Sequence, residues 1–296
     1  MAKSLKVKYT TGEQIFHAFD VVFVFFVALA VIVPVMNIVF ASFSDPGEVM
    51  RHKGLFLYPI KPTLLSYELV MKNPRIFTGY VNTIFVVVVG TLLNLVLTLI
   101  AAYVLSRKGP RLVKFFTLMI VFTMYFQGGT IPTYLIVHKL GLTGHRAALI
   151  IPGAINTFNL IVMRTAMAGV PDSLPESAMM DGAGHVTILS KIMVPLTKST
   201  IAVITLYYAV SHWNSWFPAM IYLRKKAMWP LQLVLREILI QDEASVMTSG
   251  SRDSLALDSD AVKYATIVVA TVPILCIYPF LQKYFVKGVM VGAVKG

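Results

Sequence analysis

The sequence has little charge and almost no cysteine. Of its 296 residues, 14% are charged and 57% are hydrophobic, and the mean hydropathy is +0.74. Because about a quarter of the residues in a soluble domain are charged, these figures exclude an ordinary soluble domain and indicate several membrane spans. The single cysteine, Cys276, lies in the last hydrophobic run, so neither a disulfide framework nor a cysteine metal site can form.

The motifs of several enzyme classes are also missing. The chain has no GxxxxGK[ST] loop to cradle ATP phosphates and no HExxH zinc motif, and its six histidines are scattered singly. We therefore expect no catalytic site, no metal site and no cofactor bound by this chain. Acidic residues are absent from the interiors of the hydrophobic runs, where a proton-coupled carrier would use them, and Asp20 lies at an edge. Active transport would need energy from another subunit.

The formal net charge of +12 raises nucleic acid as a partner. The lysines and arginines, however, flank the hydrophobic runs and do not alternate with aromatic residues in one patch. This arrangement is typical of membrane proteins, so we expect contact with membrane lipids and none with nucleic acid.

Six charge-free windows predict an all-α integral membrane protein with six transmembrane helices in a single domain, residues 1–296. The windows are residues 21–44, 76–106, 115–138, 147–163, 199–223 and 264–282. The first is too long for the core of a secretory signal, so we expect it to remain in the mature protein. The fourth is the shortest, and it spans if Arg146 and Arg164 extend their charged heads to the two membrane interfaces.

Basic residues in short loops predict the orientation. Residues 107–114 hold four cations, whereas the loop at 139–146 holds two. The positive-inside rule makes the first of these loops cytoplasmic, together with both termini and the segment after the fourth window. The long connections at 45–75 and 224–263 are then external.

Between the fourth and fifth windows lies a polar, glycine-containing stretch, ESAMMDGAGHVTILSKIMVP, at residues 176–195. Its two acidic residues, Glu176 and Asp181, lie among small residues, which favours a surface that another protein approaches closely. A helix start is predicted just before it, with Ser173 as N-cap and Glu176 completing a capping box. Two interpretations of Glu176 therefore stay open: it caps its own helix, or it contacts another subunit.

The stretch resembles the signature loop of permease subunits of binding-protein-dependent ATP-binding-cassette (ABC) importers, E-A-A, three residues, G, nine residues, I-x-L-P. Ser177 and Val194 depart from that pattern, and the matching positions are Glu176, Ala178, Gly182, Ile192 and Pro195. Residues 124–144, 151–164, 212–223 and 288–296 also resemble the carbohydrate-uptake branch, in particular the maltose-type second permease and relatives that import polysaccharide fragments.

The resemblance implies the type I importer permease fold and a coupling-helix loop at about residues 171–198. In it, Glu176 would pair with a basic group of an ATPase cleft, Ala178 would allow close packing, and Gly182 would form the bend between two short helices. Asp181 would cap the second helix or contact the ATPase. Ile192 and Pro195 would anchor the loop under the fifth span.

The resemblance also implies partners and a location. We expect a bacterial inner-membrane protein that pairs with a different second permease, two ATPase subunits that hold ATP and magnesium, and an extracytoplasmic solute-binding protein. The tail at 288–296 would make a second ATPase contact.

A sugar path needs polar groups for hydroxyls and aromatic faces for C–H surfaces. The candidates in the fourth and fifth windows are Asn156, Asn159, Tyr208, Trp213, Asn214 and Trp216. Their alternative roles are helix association for the asparagines and an interfacial belt for the tryptophans. The alternative functions are import of another solute by the same machinery, an autonomous transporter or channel, and a membrane-embedded enzyme.

Overall fold

The computed structural model describes residues 10–107, 112–248 and 260–293, with backbone alone for 241–248 and 277–293. These residues form helices and no strand. The α-helices are α1 (Thr11–Ser42), α2 (Pro46–Arg51), α3 (Leu65–Lys72), α4 (Pro74–Ser106), α5 (Val113–Tyr125), α6 (Thr130–Lys139), α7 (Thr157–Ala168), α8 (Ser173–Met180), α9 (His185–Ile188), α10 (Val194–Leu196), α11 (Lys198–Trp213), α12 (Trp216–Tyr222), α13 (Leu231–Thr248) and α14 (Asp260–Ala293).

The chain divides into two compact units, Met1–Lys72 with Ser249–Val269 and Asn73–Thr248 with Ala270–Gly296. The expectation of a single domain stays a prediction. In the first unit, the connection after α1 folds against the end of that helix. Asn37 Oδ1 accepts a hydrogen bond from the Phe56 amide at 2.7 Å, and Ser44 Oγ accepts one from the Ile60 amide at 2.9 Å.

Helix α4 is the centre of the second unit, where it packs against α7, α11 and α13. One face of this apolar helix buries small and polar residues at a spacing of three to four, which puts them on one stripe. They are Gly79, Asn82, Thr83, Gly90, Asn94 and Thr98. Large apolar side chains such as Phe77, Val88 and Leu92 are exposed elsewhere on the helix. The neighbouring helices therefore meet α4 on its polar stripe.

Within the described residues, α1 and α4 are each long and apolar enough to cross a membrane. Two further spans result if α5 with α6, bent by 116°, and residues 185–196 with α11, bent by 88°, each count as one. The backbone of α14 runs through the whole sixth window, residues 264–282. The count of six spans stays a prediction.

The fourth window does not form one helix, so the predicted span at 147–163 was wrong in its extent. A 3₁₀ turn at Arg146–Leu149 is followed by irregular chain, and α7 begins only at Thr157. Pro152 and Gly153 occupy the irregular stretch, and both disfavour a helix interior. The fifth window is also interrupted, at Asn214 and Ser215 between α11 and α12.

The two arginines at the ends of the fourth window contact α4 rather than extending freely. Arg146 Nη2 donates to Asn82 Oδ1 at 2.6 Å, and the Arg146 guanidinium lies 5.4 Å from the Phe85 ring centroid. Arg164 Nε donates to the Leu105 carbonyl at 3.0 Å, near the end of α4. The last carbonyls of a helix lack partners within it, so a nearby arginine is drawn to them.

Candidate functional site

The coupling segment, residues 171–198, is a chain of short helices with a sharp bend. Helix α8 ends at a left-handed Gly182, with φ of +84°. The Gly182 amide donates to the Met179 carbonyl at 3.0 Å, and the Ala183 amide donates to the Ala178 carbonyl at 2.8 Å. These two bonds form the Schellman motif, in which glycine takes the left-handed position at little steric cost. The predicted bend at Gly182 therefore exists, and its role in coupling stays a prediction.

The predicted capping roles of the acidic and hydroxyl residues were wrong. Helix α8 begins at Ser173 itself, after Asp172, and no side-chain hydrogen bond caps its start. Ser173 is therefore inside the helix, and Glu176 completes no capping box. Asp181 ends α8 and does not cap α9, which begins after Gly184 without a side-chain cap. The interpretation of Glu176 as a cap of its own helix thus loses its support.

One side of the coupling segment is packed into the core of the second unit. Ile188 and Met193 are fully buried in a cluster with residues of α4, α7 and α11. The half-buried Ala178 and Ile192 pack against the same cluster. Tyr103 Oη, on α4, lies 3.0 Å from His185 Nδ1 at hydrogen-bond distance. The segment is therefore attached to the long apolar helix.

The other side of the segment exposes apolar side chains on both arms of the bend. Met180 is 88% exposed and Val186 is 80% exposed. Glu176 is also exposed, and it lines a cavity of about 710 Å³ between the segment and the end of α4. A charged residue beside exposed apolar side chains makes this side suited to contact with another protein.

Pro195 follows a distortion of the helix backbone. Residues Leu189–Met193 form a π-helix, and Pro195 in the next turn has no amide hydrogen to donate. Thr197 Oγ1 donates to the Met193 carbonyl at 2.7 Å, close to the 88° bend that leads into α11. Pro195 is exposed, whereas Ile192 is half-buried. The anchoring role that the sequence predicts for these two residues stays a prediction.

Four of the six residues predicted for a sugar path lie around one cavity. This central cavity has a volume of about 900 Å³ and is bordered by α7, α11 and α12. The four residues are Asn156, Asn159, Tyr208 and Asn214. The other two do not line it. Trp213 is buried near Tyr80, with ring centroids 6.3 Å apart, and Trp216 lies under the Arg236 guanidinium at 4.0 Å.

Hydrogen bonds fix part of the cavity wall. Tyr208 Oη accepts a hydrogen bond from the backbone amide of Asn156 at 3.0 Å and lies 2.7 Å from Thr98 Oγ1. Asn156 Oδ1 accepts a hydrogen bond from the backbone amide of Asn159 at 3.1 Å, so Asn156 serves as the N-cap of α7. Asn159 is 4% exposed, and its side chain has no hydrogen-bond partner among the described residues. The side-chain amide of Asn159 is therefore free for a ligand in the cavity.

A second network holds the part of the wall that contains Gly153 and His212. Asn94 Nδ2 donates to the carbonyls of Gly153 and Ala154, each at 2.8 Å. Asn94 Oδ1 therefore accepts, and His212 Nε2 donates to it at 2.6 Å. A Cβ atom on Gly90 would lie 2.5 Å from His212 Nε2, so only glycine leaves room for this ring.

Sequence reasoning missed Asn94, Thr98 and His212. The first two lie on the polar stripe of α4, and their helical spacing within the window at 76–106 was the available signal. Polar residues inside a membrane span usually face the interior of the helix bundle or a cavity, and they often mark a transport pathway. His212 gave no such signal, since it stands alone in the sequence. The structure holds no cluster of three metal-ligating side chains among the residues it describes.

Similarity to known proteins extends over nearly the whole chain. A scan of protein-family models finds no match. Protein LplC of Bacillus subtilis is 37% identical over 287 residues, covering 97% of each chain. The polygalacturonan/rhamnogalacturonan transport system permease protein YtcP of the same organism is 40% identical over 282 residues, covering 93% of this chain and 96% of YtcP.

A solved structure gives the same result. A bacterial ABC transporter involved in the import of the acidic polysaccharide alginate has a chain with a TM-score of 0.85 and 33% sequence identity, covering 95% of this chain and 100% of that one. The chain belongs to the permease subunits of carbohydrate-importing ABC transporters. The predicted family is confirmed.

A carbohydrate ABC permease is a transport subunit and not an enzyme, so the alternative of a membrane-embedded enzyme is excluded. It is a multi-pass inner-membrane protein. Permeases of this class work in general with a partner permease, an ATPase and a solute-binding protein. The all-helical architecture agrees with this family.

Proposed function

We propose that this permease forms half of an oligosaccharide pathway and that cytoplasmic ATPase subunits drive it through the coupling segment. The observation that carries the proposal is that one side of this segment is buried and the other side is exposed. Its inner side, at Ile188 and Met193, is fixed in the core, while its outer side exposes Met180 and Val186. A rigid segment attached on one side and exposed on the other is suited to pass a partner's movement to the helices behind it.

The roles of the signature residues follow from this arrangement. Glu176 contacts a basic group of the ATPase, Gly182 shapes the bend, and Asp181 contacts the ATPase from the end of α8. Ala178 and Ile192 hold the segment against α4 and α7. ATP and magnesium are bound by two ATPase subunits, and a different second permease supplies the other half of the pathway.

The central cavity is the part of the sugar path that this chain contributes. Asn159 offers a buried amide without a partner, and Tyr208 and Asn214 add polar groups to the wall. Oligosaccharides released from plant or algal polysaccharides fit the chemistry of hydroxyl-binding amides and aromatic faces, and two of the similar proteins are named for polygalacturonan and alginate. A solute-binding protein delivers them on the external side.

Six spans with both termini in the cytoplasm complete the proposal. The coupling segment then lies in the cytoplasm, on the same side as the four-cation loop at 107–114. The last residues of the tail, 294–296, lie outside the described residues, as do residues 108–111 of that loop.

Two charge-altering variants of the segment test the coupling role. Glu176→Lys reverses the proposed ion pair, and Met180→Glu places a charge on the exposed apolar side. If the Glu176 pair is desolvated, its loss costs about 2–5 kcal/mol of assembly free energy. We expect both variants to lose co-purification of the ATPase and ATP-dependent sugar uptake by membrane vesicles.

The matched control is Met50→Glu, because Met50 is a half-exposed methionine in α2, on the proposed external side. It should leave co-purification of the ATPase unchanged. Normal assembly and uptake in both Glu176→Lys and Met180→Glu would remove the proposed coupling role.

A further inference from the structure

A second cavity adjoins the central one. This lateral cavity, of about 470 Å³, lies at the break between α5 and α6 and is lined there by Gln127, Gly129 and Thr130. Pro218 and Tyr222 of α12 line both cavities. The two spaces are therefore neighbours that share a wall.

The break itself fits a cavity-lining position. Helix α5 ends at Tyr125 and α6 begins at Thr130, and the two axes differ by 116°. If the pair forms one membrane span, residues 126–129 present irregular backbone at membrane depth. Such backbone is tolerated where it is buried in protein or lines a water-filled space, because its amides and carbonyls need partners that lipid does not provide.

Tyr222 is the most informative residue of the shared wall. Its carbonyl accepts a hydrogen bond from the Gly144 amide at 2.8 Å, and its ring stacks on Tyr134 with centroids 6.1 Å apart. These contacts hold the side chain, which is 8% exposed. Its hydroxyl nevertheless has no hydrogen-bond partner among the described residues. The hydroxyl oxygen is not fully enclosed, so it is available to a molecule in the cavities that Tyr222 borders.

We propose that the lateral cavity is a second sugar subsite, which binds a neighbouring unit of the oligosaccharide held in the central cavity. The inference rests on the proposed function of this chain as part of a sugar path. The Gln127 amide and the Thr130 hydroxyl provide donors and acceptors for sugar hydroxyls, and Phe217 provides an aromatic face for C–H groups. The Tyr222 hydroxyl lies where the two units join.

The Thr133 hydroxyl is a lining group that the subsite does not use. Thr133 Oγ1 donates to the Gly129 carbonyl at 2.8 Å, which commits it to the start of α6. The specific contacts are therefore assigned to Gln127, Thr130 and Tyr222, and a substrate must have at least two sugar units to reach both cavities.

The test uses the complete importer in proteoliposomes with its solute-binding protein. Stimulation of ATPase activity is measured with sugars derived from polygalacturonan and from alginate, each in a length series from the monosaccharide upward. Tyr222→Phe removes the hydroxyl and keeps the ring, and Gln127→Ala removes the amide. We expect both to raise the half-stimulating concentration of the longer sugars about three- to tenfold, the effect of one lost hydrogen bond. Gln127→Ala should leave the shortest active sugar unchanged, because Gln127 lines the lateral cavity and not the central one.

The matched control is Tyr134→Phe, which removes a hydroxyl from the adjacent ring of the same stack, a ring that lines neither cavity. It should not change the length dependence. Asn159→Ala, in the central cavity, should weaken sugars of every length. An equal effect of Gln127→Ala on all lengths, or no effect of Gln127→Ala on the longer sugars, would overturn the second subsite alone. A wild-type importer that no sugar stimulates would overturn the proposed function together with it.

Discussion

The coupling segment and the region of the central cavity are unusual in opposite ways, because the first exposes apolar side chains and the second buries polar ones. The segment exposes apolar Met180 and Val186, whereas the cavity region buries polar Asn94 and His212 inside apolar helices. Exposed apolar surface is suited to a protein partner, and buried polar groups are suited to structural networks or a hydroxyl-rich ligand. The contrast agrees with the two roles proposed above, contact with an ATPase at the segment and contact with the solute at the cavity.

Of the three variants that compare the two regions, Asn94→Ala should have the largest effect on stability, and it alters the cavity region. The change leaves the Gly153 and Ala154 carbonyls and His212 Nε2 without the amide that joins them. Each unsatisfied buried group costs about 1–3 kcal/mol, so we expect a loss of about 2–3 kcal/mol in all after partial relaxation. Thermal unfolding of the purified importer in detergent measures it.

The control lies in the coupling segment. Ser190→Ala removes an exposed hydroxyl that bonds only to carbonyls of the preceding turn, Val186 and Thr187. Its effect on unfolding should stay within about 0.5 kcal/mol. If the two variants unfold alike, the buried network does not distinguish the cavity region from the segment.

An intermediate effect is expected from Gly182→Ala, which attacks the bend of the segment. A side chain at a φ of +84° costs about 1–2 kcal/mol, so the bend should open and weaken coupling. Sugar-stimulated ATPase activity of the assembled importer is the measurement. Gly184→Ala is the control, because Gly184 has an ordinary φ of −74° and open space around its Cβ position. Equal activity in both variants would show that the left-handed bend is unimportant for coupling.

The smallest effect is expected from Tyr103→Phe, which removes a bond between the coupling segment and α4. The variant loses the contact with His185 Nδ1 and keeps the ring of α4 in place, at about 0.5–1.5 kcal/mol. We expect normal assembly and less sugar transported for each ATP hydrolysed in proteoliposomes. Tyr67→Phe removes a similar bond, to Ser42 in the first unit, and should leave that ratio unchanged. A normal ratio in Tyr103→Phe would mean that packing alone connects the segment to α4.

The accuracy of the sequence predictions depended on how local each feature is. The window at 76–106 became α4, Pro74–Ser106, because an uninterrupted apolar run favours a helix at every position. The bend that the resemblance implied at Gly182 is present, and it is a local feature because a left-handed residue after a helix is strongly biased to glycine. The window at 147–163 failed because the absence of charge says nothing about Pro152 and Gly153, which interrupt the helix.

Residues that meet across the fold were predicted less well. Trp213 and Trp216 fit a sugar path by type, but Trp213 packs near α4 and Trp216 under Arg236. Their place depends on neighbours that are distant in sequence. Tyr222 was missed for the same reason, since its significance lies in a shared wall between two cavities.

The sequence by itself determined that this chain is an integral membrane protein without a GxxxxGK[ST] motif, and that it carries a segment that resembles the signature loop of an importer permease. Those properties depend on composition and on contiguous residues. The tertiary structure alone decided which polar groups meet, such as Asn94 and His212, which are 118 positions apart. Hydrogen bonds and cavities form where helices cross, and the crossing is set by how the buried faces of α4, α7 and α11 pack together.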